Sequence, residues 1–169
     1  VSANYTRPCW ALKWDIRKFF DSISHDQLLK LLGASITDQR LLRLLEQIIR
    51  SFEMSPGRGL PLGNLTSQLF VNIYLDPLDK FMVHQLKAKQ YLRYADDCVL
   101  IGNNPEDLIG MLVEVNTFLK SELLLSLHPQ KIWLRKLRWG IDFVGYVALP
   151  YYQLPRRKTV RRILRKAVG

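Results

Sequence analysis

The stretch of sequence that decides the fold is QYLRYADDCVLIG, residues 90–102. Aromatic and apolar residues stand on both sides of Ala95, Asp96 and Asp97. Two short apolar runs around a small polar turn predict a β-hairpin. A turn that joins two buried strands is held rigidly, so Asp96 and Asp97 should occupy fixed positions at one end of a sheet.

The two adjacent aspartates need a compensating charge, because like charges at this distance repel each other. Divalent cations are natural partners, since magnesium prefers carboxylate oxygens. Asp15, at the end of a second apolar run, is a further carboxylate that could complete the site. The pattern predicts a centre for two Mg2+ ions, with Mn2+ as a substitute, that activates a 3′-hydroxyl and stabilises pyrophosphate. A solvated turn is the alternative for an Asp-Asp pair alone, and the apolar flanks argue against it.

The N-terminal half is typical of a strand followed by helices. Residues 9–16 predict a buried strand, and Ser24 with Gln27 predicts a capping box before a leucine-rich helix. Apolar spacing predicts a second helix over residues 37–50 and a third helix after a loop rich in glycine and proline. Pro77 should kink or divide this third helix.

The C-terminal half adds one helix and further strands. Asn104 and Pro105 are typical of a helix start, and this helix should end near Lys120. Residues 131–138 and 141–148 predict two strands joined by a turn. The order of elements predicts an α+β fold in which an antiparallel β-sheet has helices packed on one face.

The composition fits one cytoplasmic domain. The chain has 169 residues, 48% of them hydrophobic, which is enough for a single core. No apolar run approaches the roughly 20 residues that a membrane span requires, and the first residues lack the layout of a signal peptide. Cys9 and Cys98 form no CxxC pair and the histidines are scattered, which argues against a zinc site or a disulfide framework.

The net charge of +10 is concentrated at the C-terminus. Residues 156–169 contain seven of the 25 Lys/Arg residues and no acidic residue, and their apolar positions predict a basic amphipathic helix. A solvated helix face would explain this pattern, but the polyanionic substrate implied by a two-metal centre favours contacts with nucleic-acid phosphates. The candidate contact residues are Arg156, Arg157, Lys158, Arg161 and Arg162.

Five motifs resemble those of reverse transcriptases, in the same order. They are WDIRKFFDSI at residues 14–23, GLPLGNLTSQ at 59–68, YADD at 94–97, LHPQK at 127–131 and DFVGY at 142–146. The resemblance implies an RNA-directed DNA polymerase, a nucleotidyltransferase. It implies a polymerase palm over residues 1–150, with the end of the fingers at its N-terminus, and a basic helix over residues 151–169 that leads towards a missing thumb.

The resemblance also assigns candidate catalytic residues. Asp15 and Asp96 would be the principal metal ligands, and Asp97 would be the second acid of the pair. Ile16 would also belong to the metal site. Lys131 would stand where the family's candidate proton donor to pyrophosphate lies, with a lone surface lysine as the alternative.

Further residues are assigned to the nucleotide and the primer by the same resemblance. Those near the incoming nucleotide would be Arg17, Lys18, Phe19, Phe20, Leu62, Gly63 and Gln68. The ring of Phe20 would exclude a 2′-hydroxyl by volume, unless Phe20 is simply a core residue beside Phe19. Val144, Gly145 and Tyr146 would form the primer grip, in which glycine lets the backbone approach a phosphate, unless Gly145 only relieves a crowded strand.

Two positions depart from the common form of the family. Leu62 and Gln68 stand where reverse transcriptases of group II introns and retroviruses mostly have glutamine and proline. This form is similar to that of diversity-generating retroelements, within a bacterial, group II intron-like lineage. Leu62 then predicts low fidelity, because leucine cannot hydrogen-bond near the templating pair. Packing of Leu62 against the following helix is the alternative.

The implied partners are an RNA template, a DNA or RNA primer, dNTPs and, in some members, a small basic accessory protein; no membrane is expected. The competing functions are a non-catalytic nucleic-acid-binding palm, a polymerase that makes RNA, and a group II intron, CRISPR-associated or defence-type reverse transcriptase. Intact Asp15, Asp96 and Asp97 argue against the first. A bulky residue at Phe20 argues against the second.

Overall fold

The structure, a computed structural model, describes residues 9–167. Its strands are β1 Trp10–Asp15, β2 Tyr91–Tyr94, β3 Asp97–Gly102, β4 Trp133–Lys136, β5 Ile141–Phe143, β6 Tyr146–Ala148 and β7 Gln153–Pro155. Its helices are α1 Phe19–Ser22, α2 His25–Ser35, α3 Gln39–Arg50, α4 Leu65–Lys80, α5 Pro105–Glu122 and α6 Arg157–Ala167. A π-helical turn, Phe81–Gln85, follows α4, and a 3-10 turn, Leu137–Trp139, follows β4.

Four strands form an antiparallel sheet in the order β2-β3-β1-β4. The predicted hairpin is confirmed as β2 and β3, joined at Ala95 and Asp96. β1 lies beside β3 in a register that pairs Trp10 with Gly102 and Asp15 with Asp97. The N-terminal strand therefore ends next to the turn of the hairpin.

The side chains of β1 alternate between two hydrophobic clusters, as expected of a strand covered on both faces. Leu12 and Trp14 are buried in the main core, which they share with residues of α2, α4 and α5. On the opposite face, Ala11 packs with Val99 and Ile141 in a smaller cluster. The α+β architecture with helices on one face of an antiparallel sheet is confirmed.

The prediction of one continuous strand over residues 141–148 was wrong, because these residues fold back as the hairpin of β5 and β6. Val144 and Gly145 have φ values of 48° and 86°, so both central residues of the turn are left-handed. Such a turn matches the twist of a hairpin, but it usually contains Asn or Gly in place of valine. β7 completes a second antiparallel sheet in the order β5-β6-β7.

The capping box predicted at Ser24 and Gln27 is only partly present at the start of α2. The Ser24 hydroxyl accepts the Gln27 backbone N–H, at 3.4 Å, as a capping box requires. The Gln27 side chain, however, donates to the Glu122 carbonyl at 2.8 Å instead of returning to Ser24. The Ser24 N–H donates to the Tyr74 hydroxyl, so the box is only half formed.

The third predicted helix runs through Pro77 as α4. The change to π-helical geometry begins at Phe81, four residues after the proline, so a division at Pro77 itself was wrong. The basic segment forms α6 as predicted, up to Ala167; residues 168–169 lie outside the described part of the chain. Within residues 9–167 the helices are each too short or too polar to cross a membrane.

Candidate active site

The three aspartates that the sequence predicts as metal ligands lie at one end of the four-stranded sheet. Asp15 ends β1 and is the register partner of Asp97, the first residue of β3. Asp96 lies in the turn immediately before β3, after Ala95, whose φ of 51° is left-handed. Burial raises the pKa of the Asp96 carboxyl, and the negative charges of Asp15 and Asp97 raise it further.

Two lysines form ion pairs with Asp15 and Asp97. The Lys131 Nζ lies 2.6 Å from Asp15 Oδ2, and the Lys13 Nζ lies 3.0 Å from Asp97 Oδ1. The sequence predicted divalent cations as the compensating charges, and Lys13 was not among the predicted site residues. Strand periodicity could have identified Lys13, because it stands two residues before Asp15 and so projects from the same face of β1.

The oxygen donors of this edge fit the ligand preference of Mg2+. Within residues 9–167, however, no group of three or more acidic, histidine or cysteine side chains is arranged to hold a metal ion. The ammonium groups of Lys13 and Lys131 each lie against one carboxylate oxygen of this edge. A cation that binds Asp15 or Asp97 would have to compete with them.

Lys131 is held beside Asp15 by the loop that precedes β4. The His128 N–H donates to the Asp15 carbonyl at 2.8 Å, and the Lys131 N–H donates to the His128 carbonyl at 3.1 Å. The hydrogen bond from the Lys131 side chain to Asp15 raises the pKa of the lysine. Lys131 is therefore a protonated donor at neutral pH.

Two residues assigned to the metal and the nucleotide have buried side chains. Ile16 is 1% exposed and Phe19 is 2% exposed, so each could contact a ligand only through its backbone. Phe20 is half-buried against the main core and meets the Phe19 ring edge to face, with centroids 5.7 Å apart. Arg17 and Lys18 are exposed.

The loop before α4 presents Leu62 to solvent, with 76% of the residue exposed. The interpretation that Leu62 packs against the following helix is therefore wrong. Gly63 has a φ of 83°, which favours glycine, and Gln68 is exposed on the first turns of α4. Leu65 is 81% exposed at the start of the same helix.

The predicted primer grip lies at the turn between β5 and β6. Val144 is 44% exposed and Tyr146 is 48% exposed, so both side chains are accessible. A Cβ atom at Gly145 would meet nothing within 4 Å, so the interpretation that this glycine relieves crowding is wrong. Its φ of 86° is the reason for glycine, and its carbonyl accepts the Arg156 N–H at 3.1 Å.

Arg156 connects the carboxylates to the basic helix. It forms an ion pair with Asp142 on β5. It lines a cavity of about 180 Å³ together with Asp15, Asp97 and Lys131. It also lines a wider, open cavity of about 990 Å³, whose other residues are Gly145, Arg157, Lys158, Thr159, Arg161, Arg162, Arg165 and Lys166. The predicted phosphate contacts thus lie together on one basic surface.

The sequence is similar to known proteins over nearly its whole length. A family described as "Reverse transcriptase (RNA-dependent DNA polymerase)" matches residues 2–148. The putative COX1/OXI3 intron 2 protein of Saccharomyces cerevisiae is 23% identical in an alignment of 206 residues, gaps included. This alignment covers 85% of this chain and 24% of that protein. The group II intron-encoded protein LtrA of Lactococcus lactis is 34% identical over 86 residues, which cover 47% of this chain and 14% of that protein.

The fold is similar to that of solved telomerase structures. Telomerase from Candida tropicalis, in complex with the TWJ fragment of telomeric RNA, matches with a TM-score of 0.68 and 14% identity over 92% of this chain and 31% of that chain. The apo enzyme truncated from its C-terminal domain matches with a TM-score of 0.65 and 15% identity over 88% of this chain and 36% of that chain. The chain therefore spans about a third of these telomerases and about a quarter of the yeast intron protein.

Proposed function

Since the chain belongs to the reverse transcriptase family, we propose that it forms the palm of an RNA-directed DNA polymerase, which extends a primer with dNTPs on an RNA template. The observation that carries this proposal is the meeting of Asp15, Asp96 and Asp97 at one end of the sheet. Carboxylate oxygens are the ligands that Mg2+ prefers, and two-metal nucleotidyl transfer needs such donors close to the reacting groups.

In the proposed mechanism, Asp15 and Asp96 are the principal ligands for Mg2+ or Mn2+, and Asp97 and the Ile16 backbone complete the site. When bound, the ions would activate the primer 3′-hydroxyl and neutralise charge on the leaving pyrophosphate. Lys131 exchanges its contact with Asp15 for the pyrophosphate and donates a proton to the leaving oxygen.

The proposed nucleotide site lies beside these acids. The Phe20 ring excludes a 2′-hydroxyl, and the exposed Arg17 and Lys18 contact the triphosphate. Phe19 contributes only its backbone, because its side chain is buried. The other proposed contacts are Leu62, Gly63 and Gln68.

The primer strand is proposed to leave the acids along the turn of β5 and β6. Val144, Gly145 and Tyr146 grip it there, and α6 contacts its phosphates through Arg157, Lys158, Arg161 and Arg162, with Arg156 at the start. Support for this path comes from Arg156, which lines both cavities. Residues 1–150 are proposed as the palm, with the end of the fingers at the N-terminus, and residues 151–169 as the approach to a thumb.

A primer-extension assay of the full-length protein tests this function. We expect extension on an RNA template with dNTPs and Mg2+, little extension with rNTPs, and none by the Asp96→Asn variant. Extension with rNTPs alone would identify a polymerase that makes RNA. Tight RNA binding without extension would identify a non-catalytic palm.

We also propose the diversity-generating retroelement as the encoding element, on the basis of Leu62 and Gln68. In that case the enzyme makes error-prone cDNA and can work with a small basic accessory protein. The gene neighbourhood tests this proposal. Two nearby repeats that differ mainly at adenines would support it, whereas an intron RNA or a defence cassette beside the gene would contradict it.

A further inference from the structure

Arg93 on β2 is a charged residue that the proposed mechanism does not use. Its side chain is only 10% exposed. Its Nε and Nη2 atoms donate to the two carboxylate oxygens of Asp79 on α4, at 2.8 and 2.5 Å. A guanidinium bound at two points to a carboxylate has its plane and direction fixed.

The same guanidinium holds the turn that carries Asp96. The Arg93 Nη1 donates to the Ala95 carbonyl at 3.1 Å and to Asn72 Oδ1 on α4 at 3.2 Å. Ala95 has a φ of 51°, a left-handed conformation that is unfavourable for a residue with a Cβ atom. An external hydrogen bond to its carbonyl therefore helps to keep the turn in this conformation.

Asp79 also reaches the strand that carries Asp15. Its Oδ1 accepts the Tyr91 hydroxyl at 3.0 Å. The Tyr91 ring stacks on Trp14, with centroids 6.3 Å apart and an interplanar angle of 17°. Trp14 is fully buried and immediately precedes Asp15. One carboxylate on α4 thus connects to both chain segments that carry the acids.

The Arg93 guanidinium keeps its positive charge in the folded protein. Burial lowers the pKa of the Arg93 guanidinium, but the hydrogen bonds and charge of Asp79 outweigh it, so the pKa lies above its usual value. A partly buried ion pair contributes little net stability, because the desolvation of both charges offsets their attraction. Stability alone is therefore a weak reason for this pair.

We infer that Asp79 and Arg93 are positioning residues for the active site: α4 fixes the guanidinium, and the guanidinium fixes the Ala95 carbonyl and hence the direction of Asp96. This inference rests on the proposed function. Both residues act through the backbone of the turn instead of through contact with the nucleotide.

Two conservative variants of the full-length protein test the inference. Arg93→Lys keeps the charge, but an ammonium group cannot bind both Asp79 oxygens in a fork and also hold the Ala95 carbonyl. Asp79→Asn keeps the shape and removes the charge. We expect either variant to lower kcat about tenfold or more, with the KM for dNTPs changed less than about threefold, because the loss affects the geometry of the reacting centre.

Asp76→Asn is the matched control. It breaks the exposed pair between Asp76 and Lys80 on the same helix, whose charged atoms are 2.7 Å apart, and it should retain the parent kcat. The double variant Asp79→Asn/Arg93→Lys should lose no more than the worse single variant, since both act through one contact. Additive losses would contradict the inference. So would variants that unfold at lower temperature but match Asp76→Asn in kcat well below that temperature.

Hydrogen exchange gives a readout that does not depend on activity. The amides of residues 94–97 should exchange faster in Arg93→Lys than in Asp76→Asn, and equal exchange would overturn the inference. If the parent protein fails to extend a primer, the proposed function fails and this exchange comparison still decides the structural claim. If the parent is active and Asp96→Asn is not, but Arg93→Lys equals the control, only the inference fails.

Discussion

Lys13 on β1 links a predicted metal ligand to the second sheet. Its Nζ lies 3.0 Å from the Asp97 carboxylate, and it also donates to the Asp142 carbonyl on β5 at 2.9 Å. The ammonium group therefore stands where a cation bound to Asp97 would place its charge. If the proposed metal site is correct, Lys13 competes with the divalent ion for this carboxylate.

Replacement of Lys13 by methionine should lower the Mg2+ concentration needed for half-maximal primer extension. Methionine keeps most of the aliphatic chain and removes the charge. A partly exposed pair contributes up to about 1 kcal/mol, so the midpoint should fall by up to about fivefold. A Mg2+ titration of extension by the full-length protein measures it, with Lys80→Met as the control for an exposed lysine on α4. An unchanged or higher midpoint would mean that Lys13 does not compete with the metal.

Asp96→Asn and Asp15→Asn should each abolish extension and leave the fold intact. Loss of a metal ligand should raise the barrier by several kcal/mol, so more than about a tenth of the parent rate is incompatible with the assigned roles. Extension assays give the rate, and circular dichroism confirms folding.

Asp96→Asn should also stabilise the metal-free protein in a pH-dependent way. The folded-state pKa of Asp96 is raised, so its ionised form is unfavourable in the folded state. This penalty is full above the folded pKa and disappears as pH falls below the unfolded value of about 3.9. The variant should therefore unfold at a higher temperature than the parent at about pH 7 and at the same temperature at about pH 3. A constant difference at both pH values would contradict this origin.

Phe20→Ala should admit ribonucleotides by vacating the volume that a 2′-hydroxyl needs. The ratio of kcat/KM for dNTP to that for rNTP should fall much more than kcat for dNTP. Phe19→Leu is the matched control, because the adjacent ring is buried and its loss should reduce stability without changing the ratio. An unchanged ratio in Phe20→Ala would make Phe20 a core residue, in line with its packing against Phe19.

Arg161→Gln and Arg162→Gln on α6 should weaken binding of an RNA–DNA hybrid and make it less dependent on salt. Each lost phosphate contact should reduce the slope of log K against log salt by about one. Arg43→Gln, on the exposed side of α3, is the control and should leave the slope unchanged. Equal slopes in all variants would make α6 a solvated helix.

The sequence could predict the hairpin and the acids because their signals are local. Apolar runs and a polar turn define β2 and β3, and Asp15 ends a neighbouring run. The fold of residues 141–148 could not be predicted, because the turn places Val144 in a left-handed conformation that its side chain disfavours. Strand periodicity places Lys13 on the same face of β1 as Asp15, but it does not identify the residues that Lys13 contacts. The partners Asp97 and Asp142 of Lys13, and the partner Asp79 of Arg93, are distant in sequence, and only the folded chain brings them close.

The last prediction concerns Leu62, which stands before Gly63 in the loop that precedes α4. The side chain of Leu62 is exposed, so packing in the folded protein does not explain why leucine occupies this position. The resemblance to reverse transcriptases implies glutamine at this position in most of them, and an amide can hydrogen-bond around the incoming nucleotide. One lost hydrogen bond of about 1 kcal/mol corresponds to several-fold in discrimination. Leu62→Gln in the full-length enzyme should therefore lower misincorporation several-fold, most of all opposite template adenines if a diversity-generating retroelement encodes it.

Leu65→Gln is the matched control for this change. Leu65 is a comparably exposed leucine three residues later, so its replacement also puts a glutamine side chain into solvent, but without adding an amide at the predicted nucleotide site. Sequencing of cDNA made on one template by the parent and both variants measures the error spectra. A lower error rate in Leu62→Gln alone assigns fidelity to this position, because both variants replace an exposed leucine of this surface by glutamine. Equal spectra for all three proteins would remove Leu62 from any role in nucleotide selection.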